Sequence, residues 1–182
     1  LQGGRTGDPG SEHIVSSPKH FAGYGQVSGG RNFAPTPVDP KTLADEVLPP
    51  FEVAVRQAGA QGLMASHCDV DGVPAHGNRW LLTDLLRDDW GFQGVVVSDY
   101  MDIQRLAELH RVATDTHDAA RMALVAGMDL DLPAGIAYRH LADVLRAQPE
   151  LEQYLDRSVR RILRLKFMLG LFENPYVDVE KA

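Results

Sequence analysis

Four short apolar runs in this chain end on residues that can do chemistry. Lys19 and His20 close the first, His67 and Asp69 the second, Ser98 and Asp99 the third, and Asp129 and Asp131 the fourth. An ammonium offers three donors, an imidazole donates and accepts, and an ionised carboxylate accepts only, so the set suits a polar ligand, a covalent step or a metal. In an extended third run Val95, Val97 and Asp99 share one face, which would set a carboxylate at the mouth of an apolar interior. Asp99 reads equally as a catalytic group or as a cap for the segment that begins Tyr100-Met101-Asp102. His67, Asp69, Asp71 and His76 suggest a hydrolytic metal site, but no HExxH pairing accompanies them, and Asp71-Gly72 is a turn signal. That reading ranks low. Cys68 stands near no base motif and reads as a buried or semi-buried thiol.

These residues have to be positioned by regular elements. The apolar runs are His13 to Phe21, Gly62 to His67, Gly94 to Asp99 and Met128 to Leu132, and amphipathic stretches separate them. Leu43, Val47, Leu48, Phe51, Ala54 and Val55 fall at helical spacing, with Pro49-Pro50 expected to bend or break that helix. A second helix is expected from near Asn78, carrying Leu81, Leu82, Leu85 and Leu86 and closed by Trp90, Gly91 and Phe92, and a third from about Thr116 to Ala126 with Gly127 as its cap. Tyr138 to Arg146 and Leu151 to Leu171 read as two more. Val95, Val96 and Val97 in succession indicate a strand covered on both faces, as parallel sheets require. The fold class is therefore α/β, built of parallel βα units. Spacing alone leaves half of an eight-stranded barrel and part of an open doubly wound sheet both standing. In a barrel, Asp129 and Asp131 are expected to hold neighbouring loops by hydrogen bonds, and a half barrel would leave strand edges for another region to cover.

Composition narrows the partners. The 182 residues hold 18 Lys and Arg against 25 Asp and Glu, a formal net charge of −7. Nucleic acid and anionic membrane surfaces are polyanions and fit such a chain poorly. The cluster Arg157, Arg160, Arg161, Arg164 and Lys166 lies at helical spacing among Leu155, Val159, Ile162, Leu163 and Phe167, and reads as a solvated face over an apolar one. A single cysteine rules out an internal disulfide and a Cys-rich zinc site. No run approaches the roughly 18 apolar residues of a membrane span. Leu1-Gln2-Gly3-Gly4-Arg5 holds no apolar signal region and no initiating Met, so an upstream start is expected.

Pro18-Lys19-His20-Phe21-Ala22-Gly23-Tyr24-Gly25, the stretch DVDGVPAHGNRWLLTDLLRDDWGFQGVVVSDY from Asp69 to Tyr100, and LGLFENPY from Leu169 to Tyr176 occur in order along the chain. Together they resemble family 3 glycoside hydrolases, and most nearly the bacterial, often periplasmic, β-glucosidases. The resemblance implies a (β/α)8 TIM-type barrel of which residues 1–172 are the second half, with 173–182 beginning a linker to an α/β sandwich domain. It implies a retaining exo-β-glycosidase that releases terminal β-linked glucose without metal or organic cofactor. Asp99 matches the nucleophile, Lys19 and His20 the pair that binds sugar hydroxyls, and Tyr100 an aromatic beside the nucleophile. His67 is expected to border the same subsite. The implied partners are a β-glucoside or oligosaccharide, the other barrel half and the C-terminal domain, and the implied location is periplasmic or secreted.

Elementary chemistry agrees with those roles. A retaining glycosidase needs one carboxylate to attack the anomeric carbon and a second carboxyl group, about 5–5.5 Å away, to protonate the leaving oxygen. A nearby Lys19 would keep Asp99 ionised. Departures from the family pattern matter too. Relatives commonly carry Ser/Ala-Tyr-Asn where this chain has Ser66-His67-Cys68. Pro18 removes a ladder donor, so its strand is expected to end or bulge there. Gly25 to Asn32 lacks the Asp-Ser-His type motif of N-acetylglucosaminidases, so the resemblance to the β-glucosidase branch implies an acid/base carboxylate in the sandwich domain. A chain without that group is expected to turn over negligibly, since general acid/base help is worth about 10²–10⁴-fold, and to be poorly soluble. The competing class is a non-catalytic carbohydrate-binding or assembly domain.

Overall fold

The computed structural model describes residues 2, 9, 10, 13–177 and 179–181; of the opening Leu1 to Arg5, all but Gln2 lie outside the described residues. Two parallel strands form the centre, β1 (Gly62–Met64) and β4 (Val95–Val97), paired in the register Gly62 to Val95, Leu63 to Val96 and Met64 to Val97. A parallel bridge from Val97 to Leu130 adds the fourth apolar run on one side, and one from Phe21 to Ala65 adds the first run on the other. All four runs therefore lie side by side, in sequence order and parallel. The first is irregular for a reason in its sequence. Gly62 N–H donates to Ser16 O and Met64 N–H to Pro18 O, but Pro18 has no N–H to return a bond, and the ladder becomes two-sided only at Phe21, whose N–H donates to Met64 O. A small antiparallel pair, β2 (Asp69–Val70) and β3 (Val73–Pro74), turns at Asp71-Gly72, both at positive φ.

Helices cover one face of this wall. Asp39 caps the short α1 (Pro40–Thr42), which continues as a π-helical stretch, Leu43–Val47, before α2 (Pro49–Arg56). Pro49 and Pro50 begin α2, where a missing N–H costs nothing. The π-helical stretch Trp80–Asp89 starts after Asn78, whose side chain accepts from Leu81 N–H at 3.0 Å. Then come α3 (Asp102–Glu108), α4 (Thr116–Ala126), α5 (Leu141–Ala147) and α6 (Glu152–Met168). The sequence pattern did not indicate α3. It indicated α4 to the residue, because Asp115 caps its start and Gly127, at φ 115°, its end.

Phe21, Leu63, Val96, Leu81, Leu82, Leu86, Ile103, Leu106 and Met128 are fully buried between wall and helices. The other face is covered only in part. Val95 is buried there, but Val97 is partly covered and Leu130 is 37% exposed, so the two covered faces that the valine run suggested hold for the start of β4 and not for its end. The reading of α6 is likewise corrected. Val159, Leu163 and Phe167 stand exposed, while Ser158 is its buried residue and Arg161 reaches inward. The inward pull comes from Asp129, which points from the fourth run toward the helices.

Asp129 is the polar centre of the layer interface. Its Oδ2 accepts from Arg87 at 2.7 Å and from Val96 N–H at 2.8 Å, and its Oδ1 accepts from Ser158 Oγ and Arg161, each at 3.0 Å. Arg87 also donates to the carbonyls of Gly94 and Gly127. Burial pulls the Arg87 guanidinium down to about 10, against the attraction of Asp129, and at that value it stays charged at neutral pH. Asp131 accepts from Ala137 and Tyr138 N–H groups and fixes the loop after the run. Removing Asp129 strands a buried cation, so Asp129→Ala is expected to cost about 3–5 kcal/mol in denaturant unfolding; a loss under 1 kcal/mol would contradict this account. Gly94 is equally constrained, since a Cβ there would meet Gln61 O at 2.2 Å, the carbonyl that accepts from Val95 N–H. Gly94→Ala is expected to cost at least about 1–3 kcal/mol by the same measurement, the usual range for overpacking.

Candidate active site

The C-terminal ends of the parallel runs converge on Asp99, which follows β4 and is 9% exposed. Its Oδ1 accepts from Tyr100 N–H at 2.7 Å, which leaves Oδ2 facing two imidazoles. His67 Nε2 lies 3.0 Å from Oδ2 and His20 Nε2 3.4 Å. The two rings stack with centroids 6.2 Å apart. Asp99 does not serve as a helix cap, because the residue before α3 is Met101 and no side chain caps that helix. The first, second and third runs thus each supply a group to one point.

Behind His67 lies a second carboxylate. Asp102, 3% exposed, accepts from His67 Nδ1 at 2.6 Å and from Arg105 at 2.7 Å. Both nitrogens of His67 therefore face carboxylates. His76 completes the support from beneath. Asp99 N–H donates to His76 Nε2 at 3.0 Å, so that nitrogen carries no proton, and its Nδ1 lies 3.7 Å from Asp102. Burial drives the His76 imidazole down to about 4, against the pull of Asp102. His20 is also lowered, first by burial and then by the charges of Lys19 and His67, with Asp99 opposing. His20 is accordingly neutral at neutral pH and can both donate and accept.

The loop between the first two runs roofs this pocket. Phe33 sits 4.4 Å from the His67 ring and carries the Arg105 guanidinium 4.5 Å above its own face. Tyr24 packs against His20 at 4.8 Å and donates from its hydroxyl to Asn32. Asp69 ties the loop down by accepting from Thr36 N–H at 3.1 Å.

Of the residues singled out in the sequence, Asp99, His20 and His67 meet directly. Tyr100 stands at the rim, 59% exposed. Lys19 is exposed, and the ion-pair partners of Asp99 among the described residues are the two histidines. His67, Asp69 and His76 do not gather as metal ligands. Their polar atoms bond to Asp102, to Thr36 N–H and to Asp99 N–H respectively. Cys68 is fully buried and unpaired by disulfide. Sequence reasoning passed over Asp102, Arg105, Phe33 and Tyr24. A signal existed for Asp102, which lies three residues after Asp99, but only the tight turn before α3 makes that spacing meaningful.

Residues 3–165 match the N-terminal domain of glycosyl hydrolase family 3. The chain belongs to that family. A β-xylosidase of Formosa agariphila is 41% identical over 168 residues, covering 88% of this chain and 23% of the relative. The periplasmic β-glucosidase of Salmonella typhimurium is 35% identical over 163 residues, which is 90% of this chain and 21% of that protein. Among solved structures, a β-glucosidase from Erythrobacter marinus superposes with a TM-score of 0.87 at 49% identity, over 92% of this chain and 22% of that one. The chain thus spans between a fifth and a quarter of the length of these relatives. Family membership accounts for the parallel α/β wall as a TIM-type fold, and for polar residues gathered at the strand ends where such folds build their sites.

His76 gives the family 3 site a pH signature. Its folded value near 4 lies below the 6.5 of an ordinary histidine, so the unfolded chain takes up the proton first as pH falls. The stability contribution is complete above about 6.5 and is lost toward pH 4, by about 3 kcal/mol at most. His76→Gln, which keeps an acceptor for Asp99 N–H, is expected to flatten this part of the unfolding profile between pH 7 and pH 4; an unchanged slope would contradict the assignment.

Proposed function

We propose that this chain is the nucleophile-bearing part of a retaining exo-β-glycosidase that removes terminal β-linked glucose. The observation that carries the reading is Asp99 at the C-terminal end of the parallel wall, with Oδ1 anchored by Tyr100 N–H and Oδ2 directed at His20 and His67. Oδ2 is the oxygen offered to the anomeric carbon. As the bond from that oxygen to the sugar forms, the bond to the leaving oxygen breaks, and a carboxylic acid protonates the leaving group. Water then attacks the glycosyl-enzyme and returns Asp99 to its ionised form.

Each neighbour has a role in this scheme. Neutral His20 and the exposed Lys19 bind adjacent sugar hydroxyls, and Tyr100 offers its ring to the neighbouring sugar. His67, held by Asp102, positions Asp99 and stabilises its charge. Asp102 is committed to His67 and Arg105, so it is no candidate for the acid/base. That group belongs to a polypeptide region outside this chain, with residues 1–172 as the second half of the barrel and 173–182 leading toward a sandwich domain. The partly covered face of the wall at Val97 and Leu130 and the exposed Val159, Leu163 and Phe167 of α6 are surfaces that further protein would cover. A periplasmic or secreted location is supported by the name of the Salmonella typhimurium relative. No described helix is long and apolar enough to cross a membrane.

The test is covalent trapping. Incubation of the complete enzyme with a 2-deoxy-2-fluoro-β-glucoside, followed by proteolysis and mass spectrometry, is expected to place the adduct on the peptide containing Asp99. An adduct on any other residue overturns the proposal, as does binding of glucose without turnover of an aryl β-glucoside. The β-xylosidase name of the Formosa agariphila relative makes the sugar a separate measurement, and kcat/KM for an aryl β-glucoside is expected to exceed that for the β-xyloside.

A further inference from the structure

Away from Asp99, three metal-ligating side chains converge where α4 meets α5. His117 lies in the first turn of α4, His140 ends the 3₁₀ turn Tyr138–His140, and Asp143 lies in the first turn of α5. One ligand atom from each falls within 4.8 Å of the other two. His117 Nε2 is 3.9 Å from Asp143 Oδ2, and the two imidazole centroids are 4.2 Å apart. His140 and Asp143 stand three residues apart on one turn and so project from the same face. Asp143 Oδ1 bonds to Arg146, which turns Oδ2 toward His117. An ordered carboxylate of this kind, with one oxygen held by an outer partner and the other free, is how proteins orient a metal ligand.

We propose that His117, His140 and Asp143 bind a borderline divalent cation, Zn2+ in the first instance, with water completing the coordination. Two imidazoles and one carboxylate are a donor set suited to Zn2+, whereas Ca2+ and Mg2+ select all-oxygen sites. Metal bonds of about 2.0–2.2 Å place tetrahedral ligand atoms roughly 3.3–3.5 Å apart. Rotation of the exposed His117 and Asp143 side chains toward the half-buried His140 would bring the present spacing into that range. A groove of about 540 Å³, lined in part by His117, Asp118 and Asp143, leaves room for the water ligands. The bound ion would join α4 to α5, two helices that no disulfide links, because the one cysteine of the chain lies elsewhere. This site shares no residue with the Asp99 cluster, and the proposal stands whether or not the glycosidase reading holds.

The experiment is calorimetric titration of the chelator-treated full chain with Zn2+, with Co2+ absorption as a second probe. About one equivalent is expected to bind, with His117→Ala and Asp143→Asn each weakening it tenfold or more, and with His13→Ala leaving it unchanged. Absence of saturable binding overturns the proposal, as does equal affinity in the His117→Ala/His140→Ala double variant; either result leaves His117 and Asp143 as a plain surface ion pair. Should a variant fail to fold, NMR of the unsubstituted chain decides. Co2+ is expected to broaden the ring signals of His117 and His140 before those of His13 and His110, and broadening without that preference overturns the assignment.

Discussion

A buried carboxylate holds the two layers of this protein together. Asp129 leaves the parallel wall on the helix side and accepts from Val96 N–H, Arg87, Ser158 and Arg161, so one side chain joins two strand runs, the Trp80–Asp89 helix and α6. Arg87 extends the junction to the carbonyls of Gly94 and Gly127, which flank the third and fourth runs. Burying such a pair is costly, and the outlay is recovered only because nearly every polar atom finds a partner. Geometry is what the junction secures. The strand that carries Asp99 cannot slide against its neighbour or against the helices without breaking several charged hydrogen bonds at once.

Fixing the strand fixes the site. Asp99 lies two residues beyond β4, where the chain turns sharply through Tyr100 and Met101 into α3. The same turn brings Asp102 behind His67, and the antiparallel pair β2 and β3 carries His76 underneath. The outcome is a carboxylate supported by imidazoles on two sides, one of which is itself held by a second carboxylate. His76 stays neutral because it is buried, while His67 has an acceptor on each nitrogen. Three histidines thus take different parts around one aspartate, and their surroundings rather than their residue type set those parts.

Much of this was readable beforehand. The order of the four runs, their parallel sense, the bounds of α4 and the irregularity at Pro18 follow from local rules, because alternation, caps and a missing N–H act over a few residues. Motif spacing along the chain likewise pointed to the family and to Asp99, His20 and His67. Other features could not be read this way. The valine run of β4 implied two covered faces, yet on the face away from the helices Val95 is buried while Val97 is only partly covered, and periodicity does not record how far along a strand its cover extends. The amphipathic pattern of α6 put its arginines in solvent and its leucines inward, and the pull of Asp129 on Arg161 reverses part of that. Periodicity records which residues share a face; it does not record which face meets the wall.

The sequence by itself therefore determined the α/β class, the order of the elements and the identity of the central carboxylate, because each depends on residue type and near-neighbour spacing. Tertiary structure alone decided the partners. It set His20 and His67 beside Asp99, recruited Asp102 and Arg105 as supports, and brought Phe33 against His67 from a loop 34 residues away in sequence. Those contacts join segments far apart in the chain, and they depend on the relative placement of strands and helices, which near-neighbour spacing does not encode.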